Sequence, residues 1–189
     1  MLAENGDALC GKALISIAAG WSQQRLEAAL PPSVRILRVM PNTPALVGCG
    51  MSVLESGDTL EAGERAFALR LFSSIGRVTE AEPRLMDAVT AVSGSGPAYV
   101  YLFIEALADG GVCEGLPRPL AYELAAQTVL GSAQMVLETG EHPGKLKDNV
   151  CSPGGTTIEA VAALEEHGLR AAVLAGVKAC ADKSAAMSK

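Results

Sequence analysis

The spacing of hydrophobic residues changes after about residue 82, and this change predicts two kinds of structure. Before that point, short apolar runs bounded by Gly or Pro alternate with longer amphipathic stretches. The amphipathic stretches predict helices from Ser22 to about Leu30 and from about Leu60 to Ile75. The short runs predict four strands, at residues 13–18, 34–39, 51–54 and 77–80. Strands that alternate with helices in this way favour a parallel α/β sheet.

After Pro83 the pattern predicts helices alone. The predicted helices cover approximately residues 85–92, 97–112, 117–139, 143–150, 157–166 and 169–187. The helix that follows Pro97 is apolar on the face of Val100, Phe103 and Leu107 and hardly more polar on the opposite face. Because a helix with two apolar faces needs more than one packing partner, we expect this half to form an intertwined homodimer.

Composition and charge restrict the classes of function. The 189-residue chain has a formal net charge of −6 and no basic stripe, which argues against a nucleic-acid partner. No apolar stretch has the length of a membrane span, and the first residues do not resemble a secretory signal. The five cysteines are widely spaced and odd in number, which predicts reduced, mostly buried thiols rather than a metal site. Both histidines fall at predicted helix ends, so a histidine-centred triad has little support.

The segment Ser152-Pro153-Gly154-Gly155-Thr156-Thr157 carries the strongest local indication of chemistry. It leads into a predicted helix, whose first amides and positive dipole end favour a carboxylate or phosphate. The two glycines let the backbone approach a ligand, and Thr156 and Thr157 add hydroxyl groups. The alternative is an ordinary helix cap in which Thr156 forms a capping box with Glu159. Taken alone, the segment favours the cap.

Three other segments are weaker candidates for binding. Residues 16–20 and 39–44 each end a predicted strand, where ligands of open α/β sheets bind. Small side chains in the first segment would admit a flat ring, and the second offers Asn42 and Thr43 as polar contacts, although ordinary loops explain both equally well. Two prolines in the second segment predict a turn there. Near the Ser-Pro-Gly-Gly segment, Asn149 is the best candidate within a polar cluster that otherwise indicates a solvated surface.

Ser93-Gly94-Ser95-Gly96-Pro97 is a second turn composed of small residues. We interpret it as a tight turn between two helices, with Pro97 near the start of the second. It has no following lysine and no preceding strand, so it is weak as a phosphate-binding motif.

The order of these segments resembles that of the pyrroline-5-carboxylate reductase family. Residues 16–20 and 38–45 are similar to the cofactor domain of that family, and residues 87–99 to the hallmark segment of its dimerisation domain. Residues 123–131, 142–150 and 152–158 continue the similarity through essentially the whole chain. The resemblance implies a partial Rossmann-type parallel sheet in residues 1–82, followed by an all-helical dimerisation and substrate-binding domain in residues 83–189.

The resemblance also implies an activity, a cofactor and an assembly. The activity is the reduction of Δ1-pyrroline-5-carboxylate to L-proline, the last step of proline biosynthesis, with hydride from NADPH or NADH. The substrate carboxylate would bind at Ser152, Gly155, Thr156 and Thr157, and the Thr157 hydroxyl, near the ring nitrogen, is the implied catalytic group. The implied cofactor contacts are Ala18, Ala19, Pro41, Asn42, Thr43 and, from the partner subunit, Asn149. The family forms dimers that assemble further, often into decamers.

One departure from the family concerns the first residues. Family members begin with a strand and a Gly-rich turn for the cofactor pyrophosphate, and nothing before Ala13 resembles them. We therefore expect a truncated member that binds NAD(P)H weakly as it stands. The alternative function is an inactive dimerisation module that assembles with full-length subunits. The expected location is the cytoplasm, or the mitochondrion if a targeting segment precedes the chain.

Overall fold

The computed structural model describes the backbone of residues 6–187 and the side chains of residues 8–187. The described residues form two compact units. The first, which we call the sheet unit, contains the residues up to Pro97 together with the chain from Gly176 onwards. The second, the helical unit, consists of Ala98–Ala175.

The sheet unit is built on four strands in the order β1–β2–β3–β4. They are β1 (Ala13–Ser16), β2 (Arg35–Met40), β3 (Gly50–Glu55) and β4 (Gly76–Ala81). β1 pairs with β2, and β3 with β4, in the predicted parallel sense. β2 and β3 are antiparallel, which departs from the prediction of an all-parallel sheet. The physical reason is the short connection, Pro41 to Cys49, which has nine residues and cannot form the crossover that a parallel pair requires.

Three helices accompany the first part of the sheet: α1 (Gly6–Leu9), α2 (Gln23–Ala29) and α3 (Ala62–Ser73). Successive residues of β2 point to opposite faces of the sheet. Ile36 packs with Leu26 of α2, whereas Leu37 packs in a cluster with Phe72 of α3. The predicted cap of α2 is confirmed, since the Ser22 side chain accepts a hydrogen bond from the Arg25 N–H. Each face of the sheet therefore has its own apolar cluster.

The connection from β2 to β3 is more regular than predicted. The prolines at 41 and 44 predicted a turn without helix, but Thr43–Val47 forms a short 3₁₀ helix. Pro44 lies in the first turn of this helix, where a backbone N–H would have no acceptor within the helix. The lack of an N–H in proline therefore costs no hydrogen bond there. The polar residues after β2 are therefore held on a short helix.

The segment after β4 is helical almost throughout. A 3₁₀ turn at Pro83–Leu85 leads into α4 (Met86–Val89), a π-helical turn at Thr90–Gly94, and α5 (Gly96–Cys113). The prediction of a tight inter-helix turn at Ser93–Pro97 is therefore wrong, because all of these residues except Ser95 belong to a helix. Single π turns inside helices occur frequently at functional sites.

The helices that remain are α6 (Arg118–Thr139), α7 (Pro143–Val150), α8 (Thr156–Glu166) and α9 (Leu169–Met187). Both histidines are at helix ends, as predicted: His142 caps α7 by accepting the Gly144 N–H, and His167 ends α8. Gly140, at a φ of 66°, ends α6.

Within the described residues, no helix combines the length and apolarity needed to cross a membrane.

The cysteines are more exposed than predicted. Cys10, Cys49 and Cys113 are exposed, and Cys151 and Cys180 are half-buried, so the expectation of mostly buried thiols is wrong. Four of the five lie in loops or at the last residue of a helix, where the chain runs along the surface.

Candidate active site

The turn between α7 and α8, together with the first residues of α8, contains the four residues predicted to bind substrate: Ser152, Gly155, Thr156 and Thr157. α8 begins at Thr156 with Gly155 as its N-cap residue, and no side chain of the described residues caps it. The predicted capping box between Thr156 and Glu159 is therefore absent, because Thr156 is already inside the helix. The ordinary-cap interpretation of this segment is wrong in that respect.

The two glycines of the turn have different roles in its geometry. Gly154 has a φ of 65°, in the left-handed region that glycine tolerates best. The Gly155 N–H donates to the Ser152 carbonyl at 3.1 Å. A Cβ atom at Gly155 would lie 2.2 Å from Ser152 Oγ, so only glycine allows the Ser152 hydroxyl to remain there. The turn thus holds a hydroxyl beside the start of α8.

The first amides of α8 point out of the helix. The Glu159 N–H donates to the carbonyl of the N-cap residue Gly155 at 3.4 Å. The N–H groups of Thr156, Thr157 and Ile158 have no carbonyl one turn earlier in the helix. Thr156 is exposed and Thr157 half-buried. Amides, hydroxyls and the positive end of the helix dipole together can bind a carboxylate.

α7 supplies the polar residues that precede the turn. Lys145 pairs with Glu141 at 2.9 Å, and Lys147 pairs with Asp148 at 2.5 Å. The hydrogen bond to Asp148 raises the pKa of Lys147, so this lysine stays charged at neutral pH. Asn149 is exposed in the last turn of α7, three positions before Ser152. Both lysines already have partners, which leaves Asn149 as the candidate for a ligand contact.

The predicted cofactor residues lie in the sheet unit, at the carboxyl ends of the neighbouring parallel strands β1 and β2. Ala18 and Ala19 follow β1, and Pro41, Asn42 and Thr43 follow β2. Because parallel strands end at the same edge, the structure brings these five residues to one edge of the sheet. Ala18, Ala19 and Thr43 are exposed. Small exposed side chains at a strand end leave room for a flat ring against the backbone.

Asn42 has a structural role that the sequence did not indicate. Its Oδ1 accepts from the Met51 N–H at 2.9 Å, and its Nδ2 donates to the Ser93 carbonyl at 3.2 Å. The side chain thus joins the end of β2 to β3 and to the π turn. Its partners lie 9 and 51 positions away along the chain, so no local pattern could have identified them.

A buried ion pair is a second feature that the pattern missed. Arg38 Nη1 donates to Glu55 Oε2 at 2.8 Å, and the two side chains are 5% and 2% exposed. Arg38 lies between the apolar residues Leu37 and Val39 of β2. It faces Glu55 across the antiparallel pair, a pairing that an all-parallel prediction could not give. Among the described residues, no cluster of three or more His, Cys, Asp or Glu side chains could hold a metal ion.

Comparison with known proteins shows the family of this chain. Residues 83–187 match the family described as pyrroline-5-carboxylate reductase dimerisation. The chain is 53% identical to pyrroline-5-carboxylate reductase from Synechocystis, covering 93% of this chain and 66% of that protein. It is 51% identical to the Escherichia coli protein of the same name, covering 93% and 65%.

A solved structure extends the comparison to three dimensions. The chain resembles Plasmodium falciparum pyrroline carboxylate reductase with NADP bound, with a TM-score of 0.94 and 40% identity. The match covers 100% of this chain and 76% of that one. The class is therefore a Rossmann-like α/β sheet followed by a helical dimerisation region. The chain belongs to the pyrroline-5-carboxylate reductase family, and it spans slightly less than two thirds of the length of the two curated relatives.

Proposed function

We propose that this protein reduces Δ1-pyrroline-5-carboxylate to L-proline with hydride from NADPH or NADH. The observation that carries the proposal is the uncapped start of α8, where three amides without an intrahelical acceptor lie in the same short segment as the hydroxyls of Ser152, Thr156 and Thr157. A small cyclic acid has one carboxylate to place there. Relatives at about half identity bear the name of this activity.

The substrate would bind through its carboxylate, and the side chains of the turn would orient it. Ser152, Gly155 and Thr156 would contact the carboxylate, and the half-buried Thr157 hydroxyl would hold or donate a proton at the ring nitrogen. A protonated imine is already electrophilic, so catalysis requires mainly orientation of the ring and exclusion of water. This explains how a turn without His or Lys can serve the reaction.

The cofactor would place its nicotinamide end at the edge formed by Ala18, Ala19 and residues 41–43. NADP is bound in the Plasmodium relative, and the reduced nicotinamide would supply the hydride. The exposed alanines fit a flat ring. Asn42 Nδ2 carries a second hydrogen beyond the one used for Ser93, so it can still donate to a ligand. Asn149 would reach the cofactor from the partner subunit.

We infer that the helical unit forms a homodimer. Large apolar side chains are exposed along α5, among them Leu102 at 65% and Phe103 at 43%. Burial of such a surface against a second copy would stabilise it. The match to the dimerisation family begins at residue 83, which supports a domain boundary between residues 82 and 83. Assembly into decamers and a cytoplasmic location stay predictions.

An oxidation assay tests the activity. NADPH absorbance would be followed with and without Δ1-pyrroline-5-carboxylate, for the wild type and for Thr157→Ala, Thr157→Ser and Thr79→Ala. Loss of the proton-holding hydroxyl should lower kcat about 100-fold. Thr157→Ser, which keeps a hydroxyl, should retain much of the wild-type kcat. Thr79→Ala, at an exposed position of β4, should leave kcat unchanged.

Two results would count against the proposal. Equal turnover by Thr157→Ala and the wild type would remove Thr157 from its role. No substrate-dependent oxidation by the wild type, together with stable association with a longer relative, would favour the inactive dimerisation module instead.

A further inference from the structure

The C-terminal part of α9 is attached to the sheet unit along one stripe of the helix. Cys180, Ser184 and Met187 are four and three positions apart, a spacing that places them on the same face. The Cys180 thiol donates to Ser95 Oγ at 3.2 Å. The Ser184 hydroxyl donates to Asp87 Oδ1 at 2.6 Å. Each of the last two turns of α9 thus has a defined polar contact.

The final contact of the stripe is made by a single guanidinium group. Arg25 Nη1 donates to the Met187 carbonyl at 2.7 Å and to the Gly20 carbonyl at 3.0 Å. The guanidinium carbon lies 4.9 Å from the ring centre of Trp21. A cation at the C-terminal end of a helix also interacts favourably with the helix dipole. Arg25 therefore joins the last turn of α9 to the turn that follows β1.

Gly20 fits closely against the end of α9. It is buried and has a φ of 74°, which disfavours a side chain. A Cβ atom at Gly20 would lie 3.3 Å from both Cβ and Cε of Met187. The turn and the helix end are therefore in direct contact, and the Arg25 hydrogen bonds span that contact.

The predicted cofactor residues Ala18 and Ala19 belong to the same turn. Neither has a polar side chain that could fix its position. The hydrogen bond from the Ala18 N–H to Ser16 Oγ is long at 3.4 Å. The conformation of Ala18–Gly20 consequently depends on how Gly20 is held.

We propose that Arg25 is a positioning residue that holds the Ala18–Gly20 turn against the last turn of α9. Its consequence for cofactor affinity rests on the function proposed above, whereas the attachment itself does not. α9 lies within residues 83–187, which match the dimerisation family. Through Arg25, α9 therefore sets the conformation of Ala18 and Ala19, the residues predicted to contact the nicotinamide.

Hydrogen exchange without cofactor tests the attachment. In Arg25→Gln, the backbone amides of residues 18–20 and of the last turn of α9 should exchange about five to ten times faster, as expected for loss of a charge-assisted hydrogen bond. Arg25→Lys, which keeps the charge but not the planar fork, should show a smaller increase. The matched control is Arg118→Gln, because Arg118 also lies over an aromatic ring, that of Tyr122 in the helical unit.

The melting temperature separates positioning from a general loss of stability. Faster exchange confined to the two segments, at an unchanged melting temperature, supports the proposal. Wild-type exchange rates in both segments of Arg25→Gln, or equal acceleration across the whole chain, would overturn it.

Trp21 makes the cofactor consequence measurable, because it is the only tryptophan of the chain and adjoins Gly20. Quenching of its fluorescence by NADPH should reach its midpoint at a concentration about three to ten times higher in Arg25→Gln than in the wild type. Equal midpoints would contradict a positioning role. If the wild type bound no NADPH, the proposed cofactor site would fail, and the exchange experiment alone would decide whether Arg25 holds the turn.

Discussion

The two units bury different kinds of side chain. The largest fully buried side chains include Leu26, Ile36, Leu37 and Leu54, all in the sheet unit. In the helical unit the buried residues are alanines: Ala108, Ala121 and Ala125. Its large apolar residues are instead exposed, for example Tyr101, Leu102, Leu130 and Leu174.

This difference shows which unit is stabilised by its own chain. Hydrophobic stabilisation is proportional to the apolar area removed from water, and the sheet unit removes leucine and isoleucine side chains. The small alanines of the helical unit let its helices approach closely but contribute little area each. Exposed apolar surface on this scale is typical of an interface. The sheet unit therefore has its own core, whereas the exposed apolar surface of the helical unit supports the homodimer proposed above.

The largest expected effect is loss of the dimer when a charge enters α5. Phe103→Glu should raise the dimer dissociation constant at least 100-fold, because an unpaired carboxylate buried in an interface costs several kcal/mol. Analytical ultracentrifugation over a range of concentrations measures this directly.

Phe67→Glu is the matched control for that substitution. Phe67 lies on α3 of the sheet unit and is 54% exposed, more than Phe103 at 43%. Phe67→Glu should leave the dimer intact. Dissociation by Phe67→Glu, or a stable dimer of Phe103→Glu, would contradict the assignment of the interface to the helical unit.

The second prediction concerns stability and uses two leucines. Leu54→Ala, in the centre of the sheet, should lower the free energy of unfolding by about 2–5 kcal/mol. Leu102→Ala should change the free energy of unfolding of the monomer by less than about 0.5 kcal/mol, because the Leu102 side chain is exposed. The same substitution should weaken the dimer. Urea unfolding at several protein concentrations separates the two effects. Equal losses for both substitutions in the monomer would remove the contrast between the units.

A smaller loss is expected from Asn42→Ala. The substitution leaves the Met51 N–H and the Ser93 carbonyl without the partners that the amide provides, which costs about 1–3 kcal/mol. Asn149→Ala, on the exposed face of α7, should cost almost nothing. Chemical unfolding of both variants provides the comparison. An Asn42→Ala protein as stable as the wild type would show that the two hydrogen bonds do not hold the strand end.

The smallest effect is a change in pH dependence within the sheet unit. Arg35 donates to both carboxylate oxygens of Glu64, at 2.6 Å and 2.8 Å, and this lowers the pKa of Glu64 from 4.5 to about 2. A lowered folded-state pKa stabilises the protein above the unfolded-state value near 4.5, and this contribution is lost as the pH falls towards 2. Glu64→Gln should therefore unfold with a shallower pH dependence between these values.

The exposed Glu166 of α8 provides the control for that titration. Glu166→Gln should follow the wild-type curve of thermal midpoint against pH. Coincident curves for Glu64→Gln and the wild type would show that the Arg35–Glu64 ion pair does not contribute to the pH dependence of stability.

Elements governed by neighbouring residues were predictable from the sequence, and elements governed by distant ones were not. Ser22, Gly140 and His142 act on atoms within one helical turn, so the starts and ends of α2, α6 and α7 followed from the sequence. The antiparallel pairing of β2 with β3, and with it the Arg38–Glu55 pair, depends on strand orientation, which hydrophobic periodicity does not specify. The short connection from Pro41 to Cys49 is the sequence feature that excludes a parallel pair.

The candidate site follows the same rule. The glycines of residues 154–155 identified the turn before α8, because their conformational freedom is a local property. The contacts of Asn42 and Arg25 did not follow from any local pattern, since Arg25 meets the Met187 carbonyl 162 positions away. Family resemblance assigned roles to residues of the turn, but it could not show that Thr156 lies inside the helix rather than capping it.

The most direct test of the account is a titration of the ¹⁵N-labelled protein with L-proline, followed by the backbone amide signals. We predict saturable shifts at Thr156, Thr157 and Ile158 that are absent with L-prolinamide, which lacks the carboxylate, and weaker in Gly155→Ala, whose new Cβ would displace the Ser152 hydroxyl. Saturable proline binding that left these three amides unshifted, or shifts of the same size with L-prolinamide, would contradict the claim that the start of α8 binds the substrate carboxylate.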